Sequence, residues 1–289
     1  MTTSAEIVLT DEEFESFRQL LQAHSGIALG PHKRYLVQSR LSRRLRALAL
    51  PSFAAYREYL TSGDPGGEEL TRFVNAMTTN KTDFFREPHH FRYLTDVWAP
   101  AMRRHAERTH ERKIRLWSAG CSSGEEPYTL AMTVREVLGG PGWDVRILAS
   151  DIDTEILARA EAGVYTSAQI EPVPSPLRDR SFVKLPGDEG EPRWQVRPEL
   201  RQMVAFRRIN FNDQPWPIRV QFDVIFCRNA LIYFDRRGQE RILARLNGLL
   251  KTGGVLCLGH SETVLGLLNG VTRVGATIYR KDPPATAEP

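Results

Sequence analysis

The 289-residue chain has little cysteine, and Cys121, Cys227 and Cys257 stand far apart. No CxxC pair occurs, which argues against a disulfide framework and against a cysteine-held zinc site. Apolar residues never run for the roughly 18 positions that a membrane span needs. Met1–Thr10 lacks the basic stretch and apolar core of a secretory leader. Together these absences predict a protein of the reducing cytoplasm without membrane insertion. Excess charge of one sign is also missing: 39 Lys and Arg against 35 Asp and Glu leave a net +4. That is too mild to demand a nucleic-acid partner. No internal repeat is visible, and nothing in the pattern requires more than a monomer. What is present is ordinary for a globular chain, 41% hydrophobic and 26% charged residues, in a length that fits one large domain or two modest ones.

The first third reads as helix. Thr10 and Glu13 have the spacing of a capping box, and Phe14, Phe17, Leu20 and Leu21 follow at helical intervals before Gly26. A second helix is expected after Pro31, with Leu41, Leu45 and Leu48 on one face and Pro51 as its stop. Two shorter ones are expected at 52–61 and 68–77, separated by the turn-rich run 62–67. The predicted organisation is a helical domain over 1–77, a linker over 78–90 and an α/β domain over 91–289.

From about residue 113 strands and helices alternate. Strands are expected at 114–118, 145–150, 222–227 and 254–259, and helices at 125–138, 154–162 and 236–250. A hairpin through 271–274 and 277–280, turned at Gly275, would close the chain, with a frayed tail at 283–289. This order predicts a doubly wound, mostly parallel sheet with helices on both faces. One interval departs from it. Short strands at 182–184, 193–196 and 203–208, around the polar loop 186–192, are expected to form a small antiparallel insertion.

The chemistry concentrates between strands and helices. Ala119-Gly120-Cys121-Ser122-Ser123-Gly124-Glu125-Glu126 links the first strand to its helix, with small residues that let a ligand approach the backbone. It is not the GxGxxG of dinucleotide enzymes. Two carboxylates at a helix start would repel a pyrophosphate, so a ligand carrying a nucleoside and an ammonium group fits better. Glu125 could equally serve the helix dipole alone. Asp151, roughly 27 residues beyond Gly124, stands where a carboxylate receives ribose hydroxyls, whereas Asp153 suits an N-cap. Cys227 reads as a small buried hydrophobe and Cys121 as a reactive thiol of the loop. Phe84 and Phe85 fit either a cofactor cover or interface packing. His89 and His90 beside Glu87 raise a metal site, set aside because adjacent helical residues point apart.

Thr78-Thr79-Asn80-Lys81-Thr82-Asp83-Phe84-Phe85-Arg86-Glu87 resembles the signature of the bacterial chemotaxis receptor glutamate O-methyltransferases, the CheR family. So do Gly124–Tyr128, Ala149–Thr154, Phe226–Asn229 with Ile232–Asp235, and Gly259–Glu262, in order over nearly the whole chain. The resemblance implies a Rossmann-like methyltransferase sheet that binds S-adenosylmethionine and releases S-adenosylhomocysteine, with no metal. By position it implies that Asn80, Thr82 and Arg86 contact the cofactor, Arg86 near its carboxylate or the incoming glutamate. Glu126 and Asp151 would hold the amino group and the ribose, and Gly120 belongs to the same loop. Asn210, Phe211, Arg228 and Asn229 would surround the adenine and methionyl parts, and Tyr233 would lie near the transferred methyl.

The implied partners are acidic methylation helices of a receptor, met by the basic helix that carries Lys33, Arg34, Arg40, Arg43, Arg44 and Arg46. In some members of the family the β insertion docks a C-terminal receptor peptide. The insertion here does not match the family pattern closely, which leaves that docking open. A solvated face is the plain alternative for the basic helix. Two other functions stay in view, an RNA methyltransferase and a non-enzymatic S-adenosylmethionine-binding signalling protein. Against RNA, the basic helix has no interleaved aromatics for stacking, and Arg228-Asn229-Ala230-Leu231 replaces the Asn/Asp-Pro-Pro-aromatic motif of amino-methylating enzymes.

Overall fold

The computed structural model describes residues 7–139, 142–186 and 192–284. Most of the polar loop expected at 186–192, and the end of the tail, lie outside the described residues. Helix α1 (Asp11–Ser25) begins with the expected capping box. Thr10 Oγ1 accepts from the Glu13 amide, the Glu13 carboxylate accepts from the Thr10 amide, and Gly26 closes the helix at φ 74°. After a 3-10 turn at Pro31–Lys33 follow α2 (Arg34–Ala47), α3 (Phe53–Glu58) and α4 (Glu68–Met77). Their core centres on Phe17, whose ring meets Phe53, Tyr56 and Phe73 at 5.9–6.4 Å. Val37 joins Leu41 and Leu45 on the buried face of α2, while the expected Leu48 is only half-buried.

Short α5 (His89–Tyr93) and α6 (Ala99–Thr109) lead into the sheet. Its first units are β1 (Lys113–Ala119), α7 (Glu125–Leu138), β2 (Asp144–Asp151) and α8 (Thr154–Ala162). A side excursion follows: β3 (Val164–Thr166), α9 (Ser167–Ile170), α10 (Ser175–Ser181), β4 (Phe182–Lys184), β5 (Arg193–Val196) and α11 (Pro198–Arg201). The chain then returns through β6 (Val204–Arg208), β7 (Phe222–Cys227), α12 (Arg236–Leu249), β8 (Leu250–Leu258), β9 (Val271–Gly275) and β10 (Ile278–Lys281).

The large sheet has the order β6-β2-β1-β7-β8-β10-β9, parallel from β6 to β8 and antiparallel at the closing hairpin. Every residue of β7 is buried, as a strand covered on both faces must be. One apolar cluster, with Tyr128 and Phe226, fills one side of the sheet, and another, with Trp117 and Leu243, fills the other. The strand order reverses direction at β1, with β2 on one side and β7 on the other. This is the switch point at which such sheets open a crevice beyond their carboxyl ends.

The insertion differs from expectation. Residues 204–208 do not join it: β6 pairs in parallel with β2, from Ile147 opposite Val204 to Asp151 opposite Arg208. The small sheet is β3-β5-β4, antiparallel, and its third strand is the three-residue β3. Only Phe206 of β6 is buried, so its polar pattern resembles an exposed hairpin strand. A three-residue strand is too short to show any period. The hairpin turn falls at Ala276–Thr277, just past the expected Gly275.

Candidate active site

Beyond the carboxyl ends of β1, β2 and β7 opens a cleft of about 560 Å³. Asn80, Thr82, Arg86, Gly120, Glu126, Asp151, Asn210, Phe211, Arg228, Asn229 and Tyr233 all line it. Residues from every expected motif except Gly259–Glu262 thus meet at one place. The opposite wall comes from the helical part, from Ser25 and Ile27–Gly30 after α1 to Lys33 and Leu36. Sequence reasoning missed that wall, because Gly26 signals only a helix end. It is bonded in place: Ala28 N–H donates to the Tyr233 carbonyl (2.8 Å), and Asn210 Nδ2 donates to the His24 carbonyl (2.7 Å). A Cβ on Gly26 would stand 2.9 Å from the Phe234 ring, so the two parts approach too closely there for a larger residue.

The loop after β1 is shaped by backbone that favours glycine. Gly120, Ser122 and Gly124 have φ of 86°, 49° and 97°. The bend aims the Ser122 amide at Asp151 Oδ2 (2.9 Å) and the Ser122 hydroxyl at the Asn80 carbonyl (2.9 Å). Burial pushes the Asp151 carboxyl upward, opposed by N–H donors of Asp153 and Ser122. Asp153 caps α8 with one oxygen and with the other accepts from Thr78 Oγ1 (2.7 Å) and Asn80 Nδ2 (2.8 Å). The expected cap is therefore also the anchor of the 78–82 segment.

Glu126 is buried between Ser118 Oγ (2.6 Å) and Arg228 Nε (2.7 Å). Arg228 in turn donates to the Arg86 carbonyl (2.5 Å) and to His90 Nδ1 (3.3 Å), and stacks near Phe91 and Phe226. Phe85 and Glu87, on either side of Arg86, both lie in the left-handed region, at φ 56° and 57°. That sharp turn sets the Arg86 side chain at the cleft. Glu125 turns away, to Ser123 and Gln169, and is not among the lining residues. The segment 228–233 hangs on a residue that sequence reasoning gave no role. The buried Glu262 carboxylate accepts four backbone amides, from Gly259 (2.7 Å), Leu231 (2.8 Å), Asn229 (2.9 Å) and Ile232 (3.3 Å).

Other expectations meet the structure in different ways. Asn210 lines the cleft while its side chain bonds His24, Asn212 and Asp213. Cys121 is not a reactive thiol: it is fully buried, and burial drives its pKa well up. Cys227 shares that condition, as a buried hydrophobe should. Phe84 packs edge-on against Tyr165 and Phe182 beneath the small sheet, and Phe85 against Phe91; neither lines the cleft.

The premise that His89 and His90 diverge fails as well. Their rings are 4.0 Å apart, and with Glu87 they bring ligand-type atoms within 4.8 Å of one another. Both rings turn to the same hairpin bend, His89 to the Ala276 carbonyl (3.1 Å) and His90 to Thr277 Oγ1 (3.0 Å). With the Arg228 cation 3.8 Å from Glu87 Oε2, the arrangement is a hydrogen-bonded hub.

On the basic helix only part of the charge is free. Arg44 is bidentate to buried Glu69 (2.8 and 2.6 Å), Arg40 donates to the Thr78 carbonyl (2.7 Å), and Arg34 pairs with Asp11 (2.5 Å). Lys33, Arg43 and Arg46 are exposed.

Fold and cleft together define an α/β protein with a polar cleft across the switch of a parallel sheet. The comparisons make the class specific. Residues 80–279 match the CheR methyltransferase SAM-binding domain, and residues 12–78 match the CheR methyltransferase all-alpha domain. Over 271 residues the chain is 46% identical to chemotaxis protein methyltransferase 2 of Pseudomonas aeruginosa, covering 93% of each. It is 41% identical to the chemotaxis protein methyltransferase of Salmonella typhimurium, covering 94% of this chain and 91% of that protein. For the Escherichia coli protein of the same name the figures are 40%, 94% and 92%. The chain belongs to the CheR methyltransferase family, and its α/β part is that family's S-adenosylmethionine-binding domain.

Proposed function

We propose that this enzyme esterifies glutamate side chains on the cytoplasmic helices of a chemoreceptor, using S-adenosylmethionine, without a metal and as a cytoplasmic monomer. The observation that carries the reading is the meeting of both parts of the chain on one cleft lined by two carboxylates, Glu126 and Asp151, and by Arg86, whose Nη1 donates to the Lys81 carbonyl (2.9 Å). The cleft fits the cofactor by the chemistry of its lining: Asp151 to accept from ribose hydroxyls, Glu126 to accept from the ammonium, Arg86 to donate to a carboxylate, Phe211 for the adenine face. A Cβ on Gly120 would crowd Ala230 at 3.2 Å, which keeps that wall thin for close approach. Bound there, S-adenosylmethionine supplies an electrophilic methyl group. Tyr233 stands at the junction of the two parts, where the acceptor would enter.

A glutamate, with pKa near 4.3, is already ionised at neutral pH and needs no general base. Consistent with that, no serine or cysteine of the cleft bonds a histidine among the described residues. What the protein must supply is orientation and exclusion of water, which together recover roughly 7–11 kcal/mol in well-aligned systems. The relatives are named for chemotaxis, and acidic receptor helices suit the exposed Lys33, Arg43 and Arg46. No helix of the described residues is long and apolar enough to cross a membrane.

The test is incubation with methyl-labelled S-adenosylmethionine and receptor cytoplasmic fragments, or with total RNA. Label on receptor that is released as methanol by mild alkali, and lost in Arg86→Ala, is the expected result. Alkali-stable label in RNA would replace this reading, and cofactor binding with no transfer to either would favour a sensor.

A further inference from the structure

Glu126 is the carboxylate that faces the cleft from α7, and its orientation depends on Arg228, whose side chain is almost wholly buried (2% exposed). An arginine has only donors, so His90 Nδ1 must accept its hydrogen bond. The proton of the neutral ring then sits on Nε2 and is donated to Thr277 Oγ1 (3.0 Å). The Thr277 hydroxyl passes its own hydrogen to the Ala276 carbonyl (2.8 Å). Ser118 and Arg228 both donate to Glu126, and from Arg228 the donors run without conflict through His90 and Thr277 to the turn between β9 and β10. His90 has no exposed surface, and burial with the neighbouring Arg228 cation keeps its ring neutral.

The far end of the relay is strained. Thr277 is β-branched and lies at φ 53°, a conformation such residues rarely adopt. A glycine would sit there at lower cost, so a threonine is best explained by its hydroxyl.

We propose that His90 and Thr277 are positioning residues for methyl transfer, holding Arg228, and through it Glu126, in the geometry that receives the cofactor's amino group. The proposal rests on the cleft being the cofactor site, and the test separates the two. S-adenosylhomocysteine is titrated calorimetrically into the full chain and its variants, with thermal midpoints measured alongside. Glu126→Gln should weaken binding at least tenfold; if it does not, the reading of the cleft itself fails. His90→Phe should weaken binding about tenfold and Thr277→Gly about three- to tenfold, the scale of one buried hydrogen bond to a charged or neutral group. Thr277→Gly relieves the strained backbone, so its midpoint should not fall, and Thr277→Ser should restore wild-type affinity. If Glu126→Gln weakens binding while His90→Phe and Thr277→Gly leave it unchanged, whatever their midpoints, the inference is overturned and the relay is packing alone.

Discussion

Two arginine–glutamate pairs in this molecule, each with a buried glutamate, do opposite things. In the helical part, Arg44 grips Glu69 with two bonds and Tyr56 Oη closes the remaining side at 2.9 Å. Tyr56 is pushed upward first by burial and then by that carboxylate. In the α/β part, Arg228 spreads its donors over Glu126, the Arg86 carbonyl and His90, while Glu87 Oε2, buried nearby, has no hydrogen-bond partner. The first pair is closed and saturated, and it secures a core. The second is open, and its carboxylate faces a cavity. Charge of the same chemistry is structural where every bond is closed locally, and under the proposed function it receives the cofactor where one side is left open.

The largest expected effect breaks the second region alone. Arg86→Ala or Asp151→Ala should lower methyl transfer by roughly a hundredfold or more, as loss of a positioned polar contact at a reacting centre does, with the thermal midpoint of Arg86→Ala nearly unchanged in scanning calorimetry. Next, Arg44→Ala should cost about 3 kcal/mol of stability by leaving Glu69 buried without its cation. Urea titration measures the loss, and S-adenosylhomocysteine affinity of the folded fraction should not move. Replacing both partners, Arg44→Met with Glu69→Met, should recover most of that stability.

A third effect is set by pH. Burial and then the Arg228 cation lower the His90 pKa to about 3, from an ordinary value near 6.5. Between those values the unfolded chain binds a proton that the folded chain refuses. Stability should therefore fall as pH drops through that window, by about 1.4 kcal/mol per pH unit from this residue. His90→Phe should flatten that slope by one proton in urea titrations at pH 4–6. The smallest effect lies on the exposed surface: Arg43→Glu with Arg46→Glu should raise the KM for receptor fragments several-fold, more at low salt, and leave cofactor affinity unchanged.

Much of the cleft was legible in the sequence because its parts sit at strand ends, where loops carry recognisable residues. Asp151 at the end of β2 and the small-residue loop after β1 are local patterns, and their meeting follows from parallel topology. Relations between distant segments were not legible. That Asp153 also anchors Asn80, that Glu262 gathers four amides, and that residues 25–30 wall the cleft depend on how separate elements dock. The basic helix shows the limit most plainly: the sequence grouped Arg40 and Arg44 with Lys33 as one basic surface, yet Arg44 is spent on Glu69, a partner on another helix. In β6 and β3 the failure was one of length and polarity, since neither strand buries enough side chains to reveal its partner.

The most direct measurement compares the two pairs side by side: calorimetric titration of S-adenosylhomocysteine into Arg228→Lys and Arg44→Lys, with the thermal midpoint of each. Lysine keeps the charge and loses the fork that both sites use. Arg228→Lys should bind at least tenfold more weakly, with a midpoint lowered by the loss of its buried bonds, and Arg44→Lys should keep wild-type affinity in the folded fraction with a lowered midpoint. Equal affinities, or the reverse assignment, would contradict the division between an ion pair that holds the fold and one that serves the cofactor.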